Sequence, residues 1–176
     1  VFGEQGIGDE IMFASCLPEV IAAAESCLIA CSPRLIPMFR RSFPAAEVIS
    51  RYQLPDVGEL DWQVGAGTVA NHLRQAPADF PRQEQFLSAE AELIGHWRSR
   101  LSGLGPGKKI GISWKGGKEL DDRRRRSTRL EQWLPVLATE NVQFVNLQYG
   151  DCHEELAELQ QQHGITIHDY AEIDPL

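Results

Sequence analysis

Strand-like and helix-like patterns alternate along the chain in two successive series, and this alternation limits the possible folds more than any other feature of the sequence. Short apolar runs typical of buried strands are followed by segments with apolar residues at helical spacing. The first series contains the runs SCLIACS and AEVISRY, and the second contains KIGISW, VQFVNLQY and ITIH. Strands that alternate with helices form parallel sheets with helices on both faces. The sequence therefore predicts an α/β fold of Rossmann-like, doubly wound sheets.

The segment GLGPGKK has the composition of a linker between the two series, because it combines glycines, a proline and charge. We therefore predict one domain over residues 1–104 and a second over residues 105–176. The second series has about three strands, whereas a complete doubly wound unit usually has about five or six, so we expect it to be truncated. Only Val1 and Phe2 precede a glycine-rich turn. These observations predict a fragment of a larger protein.

Local residues predict where helices start and where one is interrupted. A helix is expected over residues 9–24, with a kink at Pro18. The run LDWQVGAG has the pattern of a further strand, and Thr68 stands where it could cap the helix that follows. Capping-box spacing predicts two more helix starts in the second series, at Thr128 with Glu131 and at Asp151 with Glu154.

The composition is that of an acidic globular protein. Hydrophobic residues make up 43% of the chain, the net charge is −8 and the pI is about 5.1. A negative chain repels nucleic-acid phosphates and anionic membrane surfaces, so we expect neither as a partner. The basic run Arg123–Arg126 is interpreted either as a solvated loop or as a loop that grips phosphate.

The cysteines and histidines do not have the spacing of a metal site. The four cysteines form no CxxC pair, and the five histidines contain no HExxH motif. Reduced thiols in a chain of this size favour the cytoplasm. The longest apolar stretch, residues 11–31, is interrupted by a proline and two glutamates, so it does not predict a membrane span.

A glycine-rich turn, GEQGIGD, stands where the first predicted strand ends and the first helix begins. Gly6 and Gly8 let the backbone approach a ligand closely, and the free amides of a helix start favour an anion. The glycine spacing is the reverse of the dinucleotide fingerprint, so NAD binding is not expected. Asp9 is interpreted either as the helix N-cap or as a general base that accepts a proton from a hydroxyl.

Six stretches of the sequence, taken in order, resemble parts of one known family. They are GEQGIGDEIMFASCLP, LDWQVGAGTV, ADFPR, KIGISWKGGK, RRRRSTRLEQW and VNLQYGDCHEEL. The family is the glycosyltransferase-like domain that follows tetratricopeptide repeats in many bacterial proteins. It is similar to the ADP-heptose:lipopolysaccharide heptosyltransferases, which have the GT-B fold of two facing Rossmann-like domains. The resemblance implies an inverting transfer of a hexosyl or heptosyl group from a nucleotide sugar to an acceptor hydroxyl, without a metal or another cofactor.

The resemblance also implies roles for particular residues. Asp9 stands where the heptosyltransferases have their proposed base, and Gln5, Gly6 and Gly8 are then the substrate-binding positions of the turn. Arg126 stands where those enzymes have a lysine, and arginine can bind phosphate through two hydrogen bonds. On the second domain, contacts to the donor diphosphate and nucleoside are implied for Ser113, Lys115, Arg126, Ser127, Tyr149, and Glu154 or Glu155.

Two departures limit what the resemblance implies. Pro18 lies about one helical turn later than the matching proline of the heptosyltransferases, so heptose is not implied. The family's later donor motif, an Asp/Ser-Thr-x-x-x-His helix start, is absent because the chain ends before it. We therefore expect this fragment not to turn over.

A non-catalytic binding or docking module beside tetratricopeptide repeats is the alternative function, because a fold does not by itself imply an activity. The expected partners are a nucleotide sugar and a glycan, lipid-linked or protein acceptor. A truncated unit with an exposed sheet edge is also expected to pair with a second copy.

Overall fold

The computed structural model describes residues 1–56, 58, 60–82, 85–116 and 125–173. The chain forms two compact units, Val1–Ile94 and Gly95–Leu176. The division lies within helix α5 (Ala91–Ser102), about ten residues before the boundary that the sequence predicts. The linker-like segment GLGPGKK is consequently part of the second unit.

The first unit contains a parallel sheet, which is formed mainly by residues from its amino-terminal half. Strands β1 (Leu28–Cys31) and β2 (Glu47–Ser50) pair in parallel, as the two apolar runs predict. Phe2 extends the sheet by parallel bridges to Ala30 and to Gly65. The Phe2 amide donates to the carbonyl of Val64 at 3.1 Å, and the Gly3 amide donates to that of Ala30 at 2.9 Å. Phe2 therefore lies between Ala30 and Gly65 in the sheet, and the glycine-rich turn starts directly after Phe2.

The strand predicted over residues 60–67 is wrong. Only Gly65 pairs with the sheet, and helix α4 (Ala66–Leu73) begins directly after it. Gly65 is also the N-cap of α4, so Thr68 lies inside the helix and does not cap it. The apolar pattern of the run was misleading because Trp62 does not pack against a sheet: it is 91% exposed.

The helix predicted over residues 9–24 is present and is interrupted. Helix α1 (Ile7–Phe13) passes through a 3-10 turn at Ala14–Cys16 into helix α2 (Leu17–Ala23). The interruption lies directly before Pro18, which has no amide hydrogen and whose ring clashes with the carbonyl four residues earlier. The predicted kink is therefore confirmed, while the helix begins two residues before Asp9.

The core of the first unit lies between these helices, the sheet and helix α3 (Ile36–Ser42). Phe39 and Phe43 pack edge to face, with ring centroids 5.6 Å apart. Aromatic side chains contribute the largest buried areas in such a core. The fully buried residues of this cluster are Ala14, Leu17, Ile29, Cys31, Leu35, Phe39, Phe43 and Val48.

The second unit contains a three-stranded parallel sheet with the order β3-β4-β5. Its strands are β3 (Lys108–Ile112), β4 (Val142–Asn146) and β5 (Ile167–His168). The strands β4 and β5 lie within runs predicted as strands, and β3 starts one residue before the predicted run KIGISW. Helices α6 (Leu134–Leu137) and α7 (His153–His163) connect them. Helix α7 ends at Gly164, whose φ of 66° is the left-handed conformation that favours glycine. Two parallel sheets with intervening helices confirm the α/β prediction at this level.

The capping pairs predicted in the second unit are corrected. The 3-10 turn Leu130–Trp133 is capped by Gln132, whose Oε1 accepts the Arg129 amide at 2.8 Å. Thr128 precedes the N-cap, Arg129, and its hydroxyl oxygen accepts the Trp133 indole N–H at 2.7 Å instead of a backbone amide of the turn. At α7 the N-cap is Cys152, and Asp151 Oδ1 accepts the His153 amide at 3.1 Å.

Among the described residues, none of the helices combines the length and the apolar character that a membrane crossing requires. In the same part of the chain, no three His, Cys, Asp or Glu side chains come together in a metal-binding group. All four cysteines are free thiols.

Candidate functional site

Most of the predicted site residues belong to one of two clusters, one in each unit. We call the first the opening-turn cluster, which comprises residues 3–10 with Ser32 and Arg51. The second is the strand-end cluster at the carboxyl ends of β3 and β4: Ser113, Trp114, Lys115, Gln148 and Glu155. Both stand where parallel α/β sheets bind ligands, beyond the carboxyl ends of the strands.

Asp9 stabilises the start of its own helix. Gly6 is the N-cap of α1, and Asp9 is the third helical residue. Its Oδ2 accepts the Gly6 amide at 3.1 Å. The prediction that Asp9 is the N-cap is therefore wrong by three positions, although its carboxylate does have a capping function. Asp9 is half-buried, so the carboxylate remains accessible from solvent.

The predicted substrate-binding positions of this turn are all exposed. Gln5, Gly6 and Gly8 face solvent, and a side chain at Gly8 would meet no atom within 4 Å. Internal packing therefore does not require glycine at that position. The space above Gly8 is open to a ligand.

Glu10 is the organised carboxylate of the opening-turn cluster, and sequence reasoning missed it. The residue is buried at 4% exposure, with Oε2 accepting the Ser32 amide at 2.8 Å and Oε1 accepting Arg51 Nη1 at 2.8 Å. Gly3 is required here, because an added Cβ would come within 2.5 Å of the Glu10 carboxyl carbon. The available signal was helical spacing: Glu10 precedes buried Ala14 and Leu17 by four and seven residues.

Arg51 joins the opening turn to the ends of both strands. Its Nη1 also donates to the Gln5 carbonyl at 3.0 Å, and its Nη2 donates to the Tyr52 hydroxyl at 3.3 Å. The hydrogen bond with Tyr52 and the nearby Glu10 carboxylate raise the pKa of Arg51 above its ordinary value. The guanidinium therefore stays charged and connects the Gln5 carbonyl of the turn to the Glu10 carboxylate.

The strand-end cluster is centred on the side chain of Gln148, which is buried at 7% exposure. Its Oε1 accepts three hydrogen bonds, from Ser113 Oγ at 3.2 Å, Trp114 N at 2.9 Å and Lys115 N at 2.7 Å. Its Nε2 donates to the carbonyls of Lys115 at 3.2 Å and Tyr149 at 2.9 Å. Sequence reasoning placed Ser113 and Lys115 in the site and missed the residue that holds them.

Lys115 and Glu155, both predicted to bind the donor, form an ion pair with each other. Glu155 Oε2 also accepts the Trp114 indole N–H at 2.8 Å. The pair is partly exposed, with 33% and 29% of the two side chains accessible. It therefore lies at the surface of the cluster, where a charged ligand can compete for either partner.

The segment of Arg126 and Ser127 packs against the loop after β3. Ser127 Oγ accepts the Gly116 amide at 3.2 Å, and a Cβ added at Gly116 would lie 3.5 Å from the Arg126 carbonyl oxygen. Arg125 and Arg126 are exposed and helical. The first two arginines of the basic run, residues 123–124, lie outside the described residues.

Tyr149 and Glu154 are the remaining predicted donor contacts. Tyr149 is 43% exposed and Glu154 is exposed in the first turn of α7. Below them, Asn146 fixes the strand end: its Oδ1 accepts the Gln148 amide and its Nδ2 donates to Asp169 Oδ1, both at 2.8 Å. Burial raises the pKa of the neighbouring Cys152 thiol, so this cysteine is a packing residue.

A chain with two parallel-sheet units and polar clusters at their strand ends belongs to the class of α/β proteins. The chain is 36% identical over 180 residues to "Protein FlbA" of Caulobacter vibrioides, in a match that covers 93% of this chain. It spans only 30% of the length of that relative. No protein-family model and no solved structure matches the chain.

Proposed function

We propose that this chain is part of a GT-B glycosyltransferase that transfers a sugar from a nucleotide-sugar donor to an acceptor hydroxyl. The motifs that resemble the heptosyltransferase-like domain support this proposal. One structural observation carries it: Ser113, Lys115, Ser127 and Glu155 come together at the carboxyl ends of β3 and β4, where open α/β sheets bind nucleotides. The cluster supplies a cation, hydroxyl donors and a carboxylate within one unit.

The chemistry we propose is a single displacement with inversion. The Asp9 carboxylate accepts the proton of the acceptor hydroxyl, and that oxygen forms a bond to the anomeric carbon of the donor sugar. The bond between the anomeric carbon and the diphosphate oxygen breaks at the same time. Lys115 and Arg126 stabilise the negative charge that develops on the departing nucleoside diphosphate.

The donor site is tested by calorimetric titration, with UDP, GDP, ADP and CDP, of a longer protein that contains both complete domains. We expect one of them to bind, and we expect Lys115→Ala to weaken that binding about tenfold, which corresponds to the loss of one charge-assisted contact. Lys108→Ala is the matched control, because Lys108 is exposed at the opposite end of β3. Equal binding by both lysine variants, or no binding by the wild type, would refute the donor site.

The second candidate function is a non-catalytic binding or docking module beside tetratricopeptide repeats. The capping hydrogen bond from Gly6 to Asp9 favours it, because it gives the carboxylate a purely structural function. In a longer protein that contains both complete domains, Asp9→Asn distinguishes the two candidates. Loss of sugar transfer with unchanged nucleotide affinity would support the enzyme, and nucleotide binding without transfer in either protein would support the module.

The remaining proposals concern partners and location. A nucleotide sugar is the proposed donor, and the acceptor is a hydroxyl of a glycan, a lipid-linked sugar or a protein. The proposed compartment is the cytoplasm. Thiols stay reduced there, which agrees with the four free cysteines, and transfer from a nucleotide sugar is compatible with the same compartment.

A further inference from the structure

Every donor and acceptor of the Gln148 side chain is hydrogen-bonded to a group at the end of β3 or β4. Its carboxamide oxygen accepts three donors within 3.2 Å, and its nitrogen uses both hydrogens. A buried amide with this degree of satisfaction is fixed, because leaving any one of these groups unpaired is costly. Gln148 is therefore a rigid connection between two strand ends.

This connection determines where the predicted cation lies. The Lys115 amide and carbonyl both bond to the Gln148 side chain, at 2.7 Å and 3.2 Å. The backbone of Lys115 is thus held on both sides, and its ammonium group is directed to Glu155. The next residue, Gly116, donates its amide to Ser127 Oγ at 3.2 Å, and Ser127 directly follows Arg126. The Gln148 side chain consequently fixes the loop that carries Lys115. Through Gly116 and Ser127, that loop is hydrogen-bonded to the segment that carries Arg126.

The same hydrogen bonds occupy two backbone amides to which an anion could otherwise bind. The amides of Trp114 and Lys115 both donate to Gln148 Oε1, so these two amides are not available to a diphosphate at this strand end. This separates the cluster from glycine-rich phosphate loops, in which free amides surround the phosphate. The affinity for a diphosphate then depends on how accurately the cationic side chains are placed.

We infer that Gln148 is the positioning residue of a diphosphate site in the second unit, and that it acts through Lys115. The inference rests on the proposed donor site, whose diphosphate contact it attributes to a fixed position of Lys115. Gln148 does not touch the ligand. It fixes the backbone from which Lys115 reaches the phosphate oxygens.

Inorganic pyrophosphate is the probe, because it tests recognition of the diphosphate without a nucleoside. Its dissociation constant is measured by calorimetry in the longer protein that contains both complete domains, for the wild type, Gln148→Leu, Lys115→Ala and the double variant. We expect Gln148→Leu to weaken binding about tenfold in the wild-type background and less than about twofold in the Lys115→Ala background. A general loss of stability would weaken binding by the same factor in both backgrounds. The difference between the two backgrounds is therefore the readout of the positioning role.

Leu159→Ala is the matched control for stability, since Leu159 is a buried core residue of α7 at 4% exposure. All measurements are made at a temperature at which each variant is folded by circular dichroism. The control is expected to lower the melting temperature and to leave pyrophosphate affinity unchanged. If Gln148→Leu is folded and binds as the wild type does, or if its effect is the same with and without Lys115, the positioning role is overturned while the donor site stands. If the wild type binds neither pyrophosphate nor a nucleoside diphosphate, the donor site itself is overturned, and the inference with it.

Discussion

The Glu10 carboxylate lies 2.8 Å from Arg51 Nη1, and this ion pair connects the helix after the opening turn to the end of β2. The Glu10 side chain is 3% exposed, whereas that of Arg51 is 28% exposed. The carboxylate also accepts the Ser32 amide, so one buried group holds three segments together. Such an arrangement is sensitive to the loss of a single acceptor oxygen.

Glu10→Gln is expected to destabilise the first unit. The substituted amide retains one acceptor oxygen for two donors, so either the Ser32 amide or Arg51 loses its partner. An unpaired buried amide costs about 1–3 kcal/mol. Hydrogen exchange at the Ser32 amide and chemical denaturation both measure the effect. Asp9→Asn is the control, because Asp9 caps only the exposed Gly6 amide. A larger loss of stability in Asp9→Asn than in Glu10→Gln would contradict this account.

Gly107 and Gly105 form a matched pair for testing the loop before β3. Both have positive φ values, 96° and 85°. A Cβ at Gly107 would lie 2.3 Å from the backbone oxygen of Asn141, whereas a Cβ at Gly105 meets no atom within 4 Å. The Asn141 oxygen also accepts the Lys108 amide at 3.0 Å, which aligns β3 with β4.

We expect Gly105→Ala to cost about 1 kcal/mol, from backbone strain alone. Gly107→Ala should cost at least about 2 kcal/mol more, because the loop has to move away from β4. Urea denaturation of the two variants measures the difference. Similar midpoints for both would mean that the loop relaxes around the new methyl group.

Much of the strand and helix pattern follows from local sequence, because apolar runs and helical spacing report burial directly. SCLIACS, KIGISW and VQFVNLQY become strands since each has a neighbouring strand to pair with. LDWQVGAG has a similar pattern, but only its Gly65 pairs, with Phe2, and a pattern does not specify pairing. The interruption before Pro18 was predictable because the proline ring enforces it locally.

The organising residues of both clusters could not be predicted in the same way. Glu10 and Gln148 look like ordinary surface residues in the sequence, since Glu and Gln are mostly exposed in proteins. Their function depends on donors that lie 22 to 41 positions away in the chain for Glu10 and 33 to 35 positions away for Gln148. Sequence reasoning could identify Lys115 and Glu155 by family resemblance, but only the fold brings them into contact.

Stability is expected to fall at alkaline pH because of Cys31. Burial, and secondarily the nearby Glu10 carboxylate, raises the pKa of the Cys31 thiol from 9.0 to about 11. A raised folded-state pKa means that the folded protein holds this proton more tightly than the unfolded chain does. Its contribution to stability is complete below pH 9 and is lost as the pH rises through about 11.

Chemical denaturation between pH 8 and pH 11 tests this contribution. The wild type should lose stability across that window, and Cys31→Ala should lose less. Cys16→Ala is the control, because Cys16 is a similarly buried free cysteine at 2% exposure. The same alkaline loss in Cys31→Ala as in the wild type would assign the effect to other groups.

Asn146→Asp is expected to destabilise the second unit at neutral pH. The Asn146 amide nitrogen donates to Asp169 Oδ1 at 2.8 Å, so the substitution places two carboxylates in contact. Repulsion and burial raise the pKa of the introduced carboxyl, and the folded state therefore favours its protonated form. The destabilisation should decrease as the pH falls toward 5, which urea denaturation at pH 5 and pH 8 measures. Asn146→Ser serves as the comparison, because it removes the amide without adding charge. A pH-independent loss in Asn146→Asp would show that repulsion is not the cause.

Glu155→Gln is expected to strengthen pyrophosphate binding. The Glu155 carboxylate pairs with Lys115, so a diphosphate must compete with it for the ammonium group. The amide retains an acceptor for the Trp114 indole but removes the competing charge. The gain should be about three- to tenfold and should decrease at high salt, as is typical of partly exposed ion pairs.

Glu154→Gln provides the matched control, since Glu154 is exposed one position earlier in α7 and no ion pair is recorded for it among the described residues. It should change pyrophosphate affinity by less than about twofold. Titration with the nucleoside diphosphate that binds most tightly then distinguishes the two glutamates. If a substitution weakens binding of the nucleotide and does not weaken binding of pyrophosphate, that glutamate contacts the nucleoside. Weaker pyrophosphate binding in Glu155→Gln would mean that Glu155 holds Lys115 in place for the ligand and does not compete with it.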